Sequence, residues 1–228
     1  MTDAVVVLAR APRPGRGKTR LRTVLQGVDA ALVDAFVEAM VEDTLRWAAA
    51  GADTMVVAVD DGSAWLPTAQ GARRVSQPCA PFGARLEHAL GAAFDSGAAR
   101  AVLVGTDSPT LPAHLLAAAF RALRRPDDAV LIPALDGGWV ALGLGAPLGD
   151  TFAAAPIRWS TRHASSDTDE ALRRSGRHVT RLSPWFDVDD ADGLERLRAD
   201  VLSRQRAPRT AAALAALPPP SPAAALTT

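Results

Sequence analysis

Short apolar runs of strand length alternate with longer helical patterns along most of this chain, and that alternation restricts the fold more than any other feature. The runs "AVVVLA" (4–9), "TMVVAV" (54–59), "RRVS" (73–76), "AVLVG" (101–105) and "DAVLIPA" (128–134) read as strands. Helical patterns cover 29–50, 82–95 and 113–124, and in the second of these Leu86, Leu90 and Phe94 recur every four residues as one apolar stripe. This order predicts a mostly parallel sheet covered on both faces by helices, with ligands taken at the carboxyl ends of the strands. The later part is less regular. "GGWVALGL" (137–144) and "HVTRL" (178–182) read as strands, and 165–175 and 190–205 as helices. A chain of 228 residues that is 48% hydrophobic suffices for one substantial core, so a single domain is expected over 1–207. From Pro208 the composition turns to Ala, Pro and Thr. Residues 208–228 are expected to be a tail, disordered from 217 at the latest.

Charge excludes some partners and focuses attention on one loop. Lys plus Arg (25) balance Asp plus Glu (25), and the sequence pI is about 6.9. No global field draws the molecule to nucleic acid or to an anionic membrane, so any anion must be caught locally. Cys79 is the one cysteine, which leaves no internal disulfide and no cysteine cage for a metal. His88, His114, His163 and His178 are scattered without the spacing of zinc ligands. With no apolar run of 18 residues and no signal-like start, a cytoplasmic protein is expected. Lys18 is the sole lysine. It belongs to a cluster of six cations (Arg10, Arg13, Arg16, Lys18, Arg20, Arg22) that spans thirteen residues without an acid. A run of like charge is often no more than a solvated face, but this one follows the carboxyl end of a buried strand.

The stretch "ARAPRPGRGKTRL" (9–21) ends like a phosphate-binding P-loop. A P-loop wraps phosphates with backbone N–H groups and needs a glycine five residues before its Gly-Lys-Thr. Here Pro12 stands at that position and Pro14 removes a further N–H, so the backbone cradle fails. The prolines and glycines instead predict an open, stiff loop from which Lys18, Arg20 and Arg10 project charge onto a di- or triphosphate.

Five stretches in order, "ARAPRPGRGKTRL", "GTDSPTL" (105–111), "PALDGGWVALGL" (133–144), "WST" (159–161) and "DVDDADGLERL" (187–197), resemble a bacterial family of glycosyltransferase-A-fold proteins. That family goes by the names nucleotide-diphospho-sugar transferases and DUF2064, and it resembles guanylyltransferases that make the coenzyme F420 precursor. The resemblance covers about 4–215. It implies an α/β protein, a three-layer α/β/α fold with a mostly parallel mixed sheet. It further implies a transferase that uses a nucleotide-activated small-molecule donor, a small acceptor, and Mg2+ or Mn2+. Glycosyl transfer comes first. Nucleotidylyl transfer from a nucleoside triphosphate and a non-catalytic nucleotide-binding module are the alternatives. The chain departs from the family at Arg10, where lysine is usual, at Trp139 and Val140, where tyrosines are usual, and at Pro78 and Cys79, where glycine is more usual.

Chemistry is then assigned residue by residue. Asp107 ends a strand before a Ser-Pro turn, and by the resemblance it holds the metal with Asp189, Asp187 being the fallback. Mg2+ accepts one or two carboxylates when phosphate oxygens and water complete its shell. The alternative for Asp189 or Asp190 is helix capping. Arg10, Gly15, Lys18, Arg20, Gly83 and Arg85 are expected around the nucleotide and its phosphates. Asp136 is expected to accept a hydroxyl hydrogen bond or act as base beside Gly137 and Gly138, although a hairpin turn explains Asp-Gly-Gly equally well. Trp159, Ser160 and Thr161 are expected at the acceptor, with an N-cap for the next helix as the alternative. Lys18, Asp107 and Asp136 form the expected catalytic set.

Overall fold

The computed structural model describes residues 1–60 and 71–218. Among these, seven strands form one sheet: β1 (Asp3–Ala9), β2 (Thr54–Val59), β3 (Ala72–Ser76), β4 (Arg100–Gly105), β5 (Asp128–Pro133), β6 (Trp139–Leu144) and β7 (His178–Arg181). Their spatial order is β3-β2-β1-β4-β6-β5-β7. Neighbouring strands run parallel except at β6, which is antiparallel to both β4 and β5. The mixed, mostly parallel sheet read from the sequence is thus the one that forms. After β1 the chain crosses to β2 on one side while β4 lies on the other. The carboxyl ends of β1 and β4 therefore flank a point where the winding reverses, the place where open α/β sheets bind ligands.

Helices cover both faces: α1 (Thr19–Val24), α2 (Ala30–Gly51), α3 (Phe82–Asp95), α4 (Ala113–Ala122), α5 (Thr151–Ala154), α6 (Ala164–Arg174), α7 (Ala191–Ala199), α8 (Ser203–Arg206) and α9 (Pro208–Ala216). The two-residue period of each strand sorts its side chains between two cores. Val5, Val7, Val57 and Val104 face α2 and α4, where Leu45, Leu116 and Phe120 meet them. Ala4, Val6, Val56 and Leu103 face α3 and α6, against Leu86, Leu90 and Leu172. A three-layer α/β/α fold is the result.

A third core positions the functional residues. Leu21 from α1 and Leu25 at its carboxyl cap, Phe36 and Met40 from α2, and Leu194 and Leu197 from α7 bury together with Val188. Each such side chain contributes about 1.5–3 kcal/mol on burial, enough to hold a six-residue helix that is too short to persist alone. This cluster brings residues near 18 and near 188 to one end of the sheet.

Three expectations change. Thr19–Val24 is a helix, so Lys18 and Arg20 stand where the basic loop ends and α1 begins, not out on an open loop. The helix expected over 190–205 is divided into α7 and α8 at Asp200, whose side chain accepts the Leu202 N–H (3.0 Å) and offers the backbone a turn instead. Pro208–Ala216 is helical, with buried Asp43 of α2 accepting the Thr210 N–H at 2.7 Å, and Leu217 is buried. The domain therefore continues past 207; the expected disordered stretch from 219 onward lies outside the described residues. Among the described residues no helix is long and apolar enough to cross a membrane.

Candidate functional site

A cleft of about 650 Å³ opens at the carboxyl ends of β1 and β4. Lys18 reaches into it from the turn before α1. Its Nζ lies 2.7 Å from Asp107 Oδ1 and 3.6 Å from Asp189 Oδ1, and it donates to the Val188 carbonyl at 2.8 Å. Residues 170 positions apart thus converge on one ammonium group, 8% exposed. The backbone supports the same meeting, since Val188 N–H donates to the Asp107 carbonyl at 2.7 Å. Asp190 is the helix cap: its Oδ1 accepts the Gly193 N–H at 3.0 Å, which leaves Asp189 to face the cleft. Gly193 is required there, because a Cβ would meet the Asp187 carbonyl oxygen at 2.1 Å.

Asp187 also lines the cleft. Burial, then the neighbouring Asp136 and Asp107 carboxylates, pushes its pKa up to about 6, and Lys18 offsets only part of this. Arg20 pairs with Asp189 at the rim, its side chain 61% exposed. Among the described residues no three His, Cys, Asp or Glu side chains come together as a metal cage. The donor set nonetheless suits a hard cation. Asp107 and Asp189 are oxygen donors that already converge on one positive charge, and Mg2+ or Mn2+ asks no more of the protein when phosphate and water supply the rest.

The basic loop divides into two groups. Arg10, Arg16, Lys18 and Arg20 line the cleft. Arg22 does not: it pairs with Asp34 of α2 (2.5 Å) and donates to the Gly17 (2.8 Å) and Arg16 (3.2 Å) carbonyls, tying the loop down. Gly15 has the same task, its N–H donating to the Asp34 carboxylate at 3.1 Å from a φ of +71°. Arg10 is exposed and loosely paired with Asp60 (3.8 Å).

The opposite wall carries Phe82, Arg85, Trp139 and Trp159. Trp159 packs edge-on between Phe82 and Phe152, with centroids at 5.1 and 5.8 Å. Arg85 lies over the Phe82 ring and donates to Gln77 Oε1 (3.2 Å), while Gln77 Nε2 donates to the Ala9 and Ala58 carbonyls at the ends of β1 and β2. The sequence reading assigned no role to Gln77, Arg16, Asp60 or Phe82. For Gln77 the signal was its place directly after β3. Gly83 lies outside the cleft lining; a Cβ there would meet the Phe152 carbonyl oxygen at 2.8 Å, so it serves the packing of α5 on α3.

Asp136, Ser160 and Thr161 line the cleft as expected. Asp136 Oδ1 accepts the Gly138 N–H at 2.8 Å, so the turn between β5 and β6 also orients this carboxylate. Gly137 (φ +93°) lies outside the lining and sits under the 158–163 segment, where a Cβ would meet the Arg162 carbonyl oxygen at 2.2 Å. That segment is anchored by Arg158, which grips Asp167 through both its guanidinium (2.8 and 2.9 Å) and its N–H (3.0 Å). Arg158 holds the Asp167 carboxyl well below the usual carboxylate range.

The sheet order, its one antiparallel strand and the cleft at the switch point define an α/β protein of the nucleotide-diphospho-sugar transferase fold class. The chain belongs to the DUF2064 family, described as uncharacterized proteins conserved in bacteria, whose model matches residues 24–161. Lys18 and Asp189 both lie beyond that match. Among solved structures, a Desulfovibrio desulfuricans G20 protein provisionally named a nucleotide-diphospho-sugar transferase aligns at 29% identity and a TM-score of 0.80, over 95% of each chain. A 4-diphosphocytidyl-2C-methyl-D-erythritol synthase aligns at 12% identity and 0.55, covering 87% of this chain and 97% of its own. A CMP:2-keto-3-deoxy-manno-octonic acid synthetase complexed with CTP aligns at 13% and 0.51, covering 90% and 100%. These last two share the fold. No curated protein matches the sequence.

Proposed function

We propose that this protein is a transferase that takes a nucleotide-diphospho-sugar and passes its glycosyl group to a small acceptor, with a divalent metal. One observation carries the proposal: the Lys18 ammonium, Asp107 and Asp189 converge within 3.6 Å at the switch point of the sheet, beside Arg20. Charge of both signs at one point is what a metal-bound diphosphate needs, its phosphates facing the cations and its metal facing the acids.

Lys18 and Arg20 bind the donor's phosphates, with Arg10 at the mouth of the cleft. Asp107 and Asp189 would hold Mg2+ or Mn2+, which when bound would supply neutralisation of charge on the departing nucleoside diphosphate. The acceptor lies against Trp159, Ser160 and Thr161. Asp136, oriented by the Gly138 N–H, takes the proton from its hydroxyl. Arg22 is committed to Asp34 and is subtracted from the six cations of the sequence, which weakens the case that the loop is built for a triphosphate.

Titration with UDP-sugars, GDP-sugars and GTP, each with and without Mn2+, tests the proposal. Metal-dependent binding and turnover of a sugar nucleotide is the expected result. Pyrophosphate release from GTP would identify nucleotidylyl transfer in its place, and binding without any product would leave a non-catalytic nucleotide-binding module.

A further inference from the structure

Lys18 does more than line the cleft. Its ammonium occupies the space between Asp107 and Asp189, with the Val188 carbonyl as third partner, and only 8% of the side chain is exposed. To put it there the backbone adopts φ 53° and ψ 44°. A residue other than glycine avoids this left-handed region at a cost of about 1–2 kcal/mol. That conformation persists where surrounding contacts over-determine it, and here the contacts are the two acids.

An ammonium and a divalent cation have no way to share that space, since like charges a few Å apart repel. We infer that Lys18 is a built-in occupant of the divalent-cation site, which keeps the two carboxylates closed to metal until a polyphosphate arrives to receive the displaced ammonium. Metal and nucleotide then load together, each raising the affinity for the other by the same factor. Without the nucleotide, an entering metal would leave Lys18 facing a doubly charged cation with no anion to offset it. The inference rests on the donor-and-metal reading above and assigns an order of events to it.

The test is Mn2+ binding to the full chain, followed by electron paramagnetic resonance, in wild type, Lys18→Gln and Lys18→Arg. Each is titrated alone and with UDP or GDP, corrected for the Mn2+ held by free nucleotide. Without nucleotide, Lys18→Gln is expected to bind Mn2+ roughly tenfold tighter than wild type, within the usual span of coupling between sites, while Lys18→Arg stays weak. Binding by Lys18→Gln that is no tighter than wild type overturns the inference. A second arm uses wild type and Asp107→Asn. Because Lys18 is the only lysine, acylation by a succinimidyl ester, mapped by peptide to exclude the amino terminus, reports on this one ammonium. Asp107→Asn is expected to be acylated several-fold faster, and equal rates would overturn the inference. Tighter Mn2+ binding in Lys18→Gln, together with no effect of UDP or GDP on wild type, would sink the donor reading and with it the release by polyphosphate, and leave only the occupancy of the cation site by Lys18 standing.

Discussion

Replacing Asp187 by Asn should stabilise the protein at neutral pH, because the folded state holds this carboxylate where it resists ionisation. Burial and the Asp136 and Asp107 carboxylates raise its pKa from 3.8 to about 6. Two units at 1.36 kcal/mol each give a ceiling of about 3 kcal/mol. Partial exposure to solvent reduces that to about 1–2 kcal/mol, or a Tm rise of about 2–8 °C for a chain of this size. The sign follows from linkage. A group whose folded pKa is raised contributes stability that is fully present below the unfolded pKa of 3.8 and lost as pH rises through about 6. Asn never ionises, so the gain of the variant over wild type should be complete above pH 6, smaller at pH 5 and mostly gone at pH 4. Thermal melts in chelator-containing buffer across that range measure it. A variant no more stable than wild type at pH 7.5, or a gain that persists undiminished at pH 4, would refute the reasoning.

Arg20→Ala and Arg22→Ala should separate cleanly. The first is expected to weaken nucleotide binding and its salt dependence with little change in Tm. The second should lower Tm by loosening the loop from Asp34, with nucleotide affinity retained once the protein is folded; calorimetric melts beside nucleotide titrations check both. Gly137→Ala should destabilise by more than about 1 kcal/mol in urea unfolding, because it combines a positive φ with a Cβ placed 2.2 Å from the Arg162 carbonyl oxygen.

The central layers were legible in the sequence because burial leaves a direct record there. β2 falls on the apolar run that marks it, and α3 on its predicted span. What escaped are elements whose stability comes from distant partners. α1 depends on Phe36 and Leu194, and α9 on the Asp43 carboxylate 167 residues away. No local pattern records those contacts. The same division runs through the site. Strand ends already pointed to Asp107 and to the loop holding Lys18. The tasks of Gly15 and Gly83 are set by Asp34 and Phe152, so their sequence context alone suggested ligand binding where the fold provides support.

The balance of charge inside the cleft predicts that so basic a loop does not make the molecule a general anion trap. Among the described residues five cations line it (Arg10, Arg16, Lys18, Arg20, Arg85), and so do five carboxylates (Asp60, Asp107, Asp136, Asp187, Asp189). A simple phosphate approaching this set meets almost as much repulsion as attraction, and the most buried cation is already engaged by two acids. A divalent ion alone fares no better, since Lys18 stands at the carboxylates it would need. On the function proposed above, a polyphosphate with its metal would improve every contact at once, giving anions to Lys18 and Arg20 and a cation to Asp107 and Asp189. On that reading, selectivity in this cleft would follow from the pairing of its charges more than from their number.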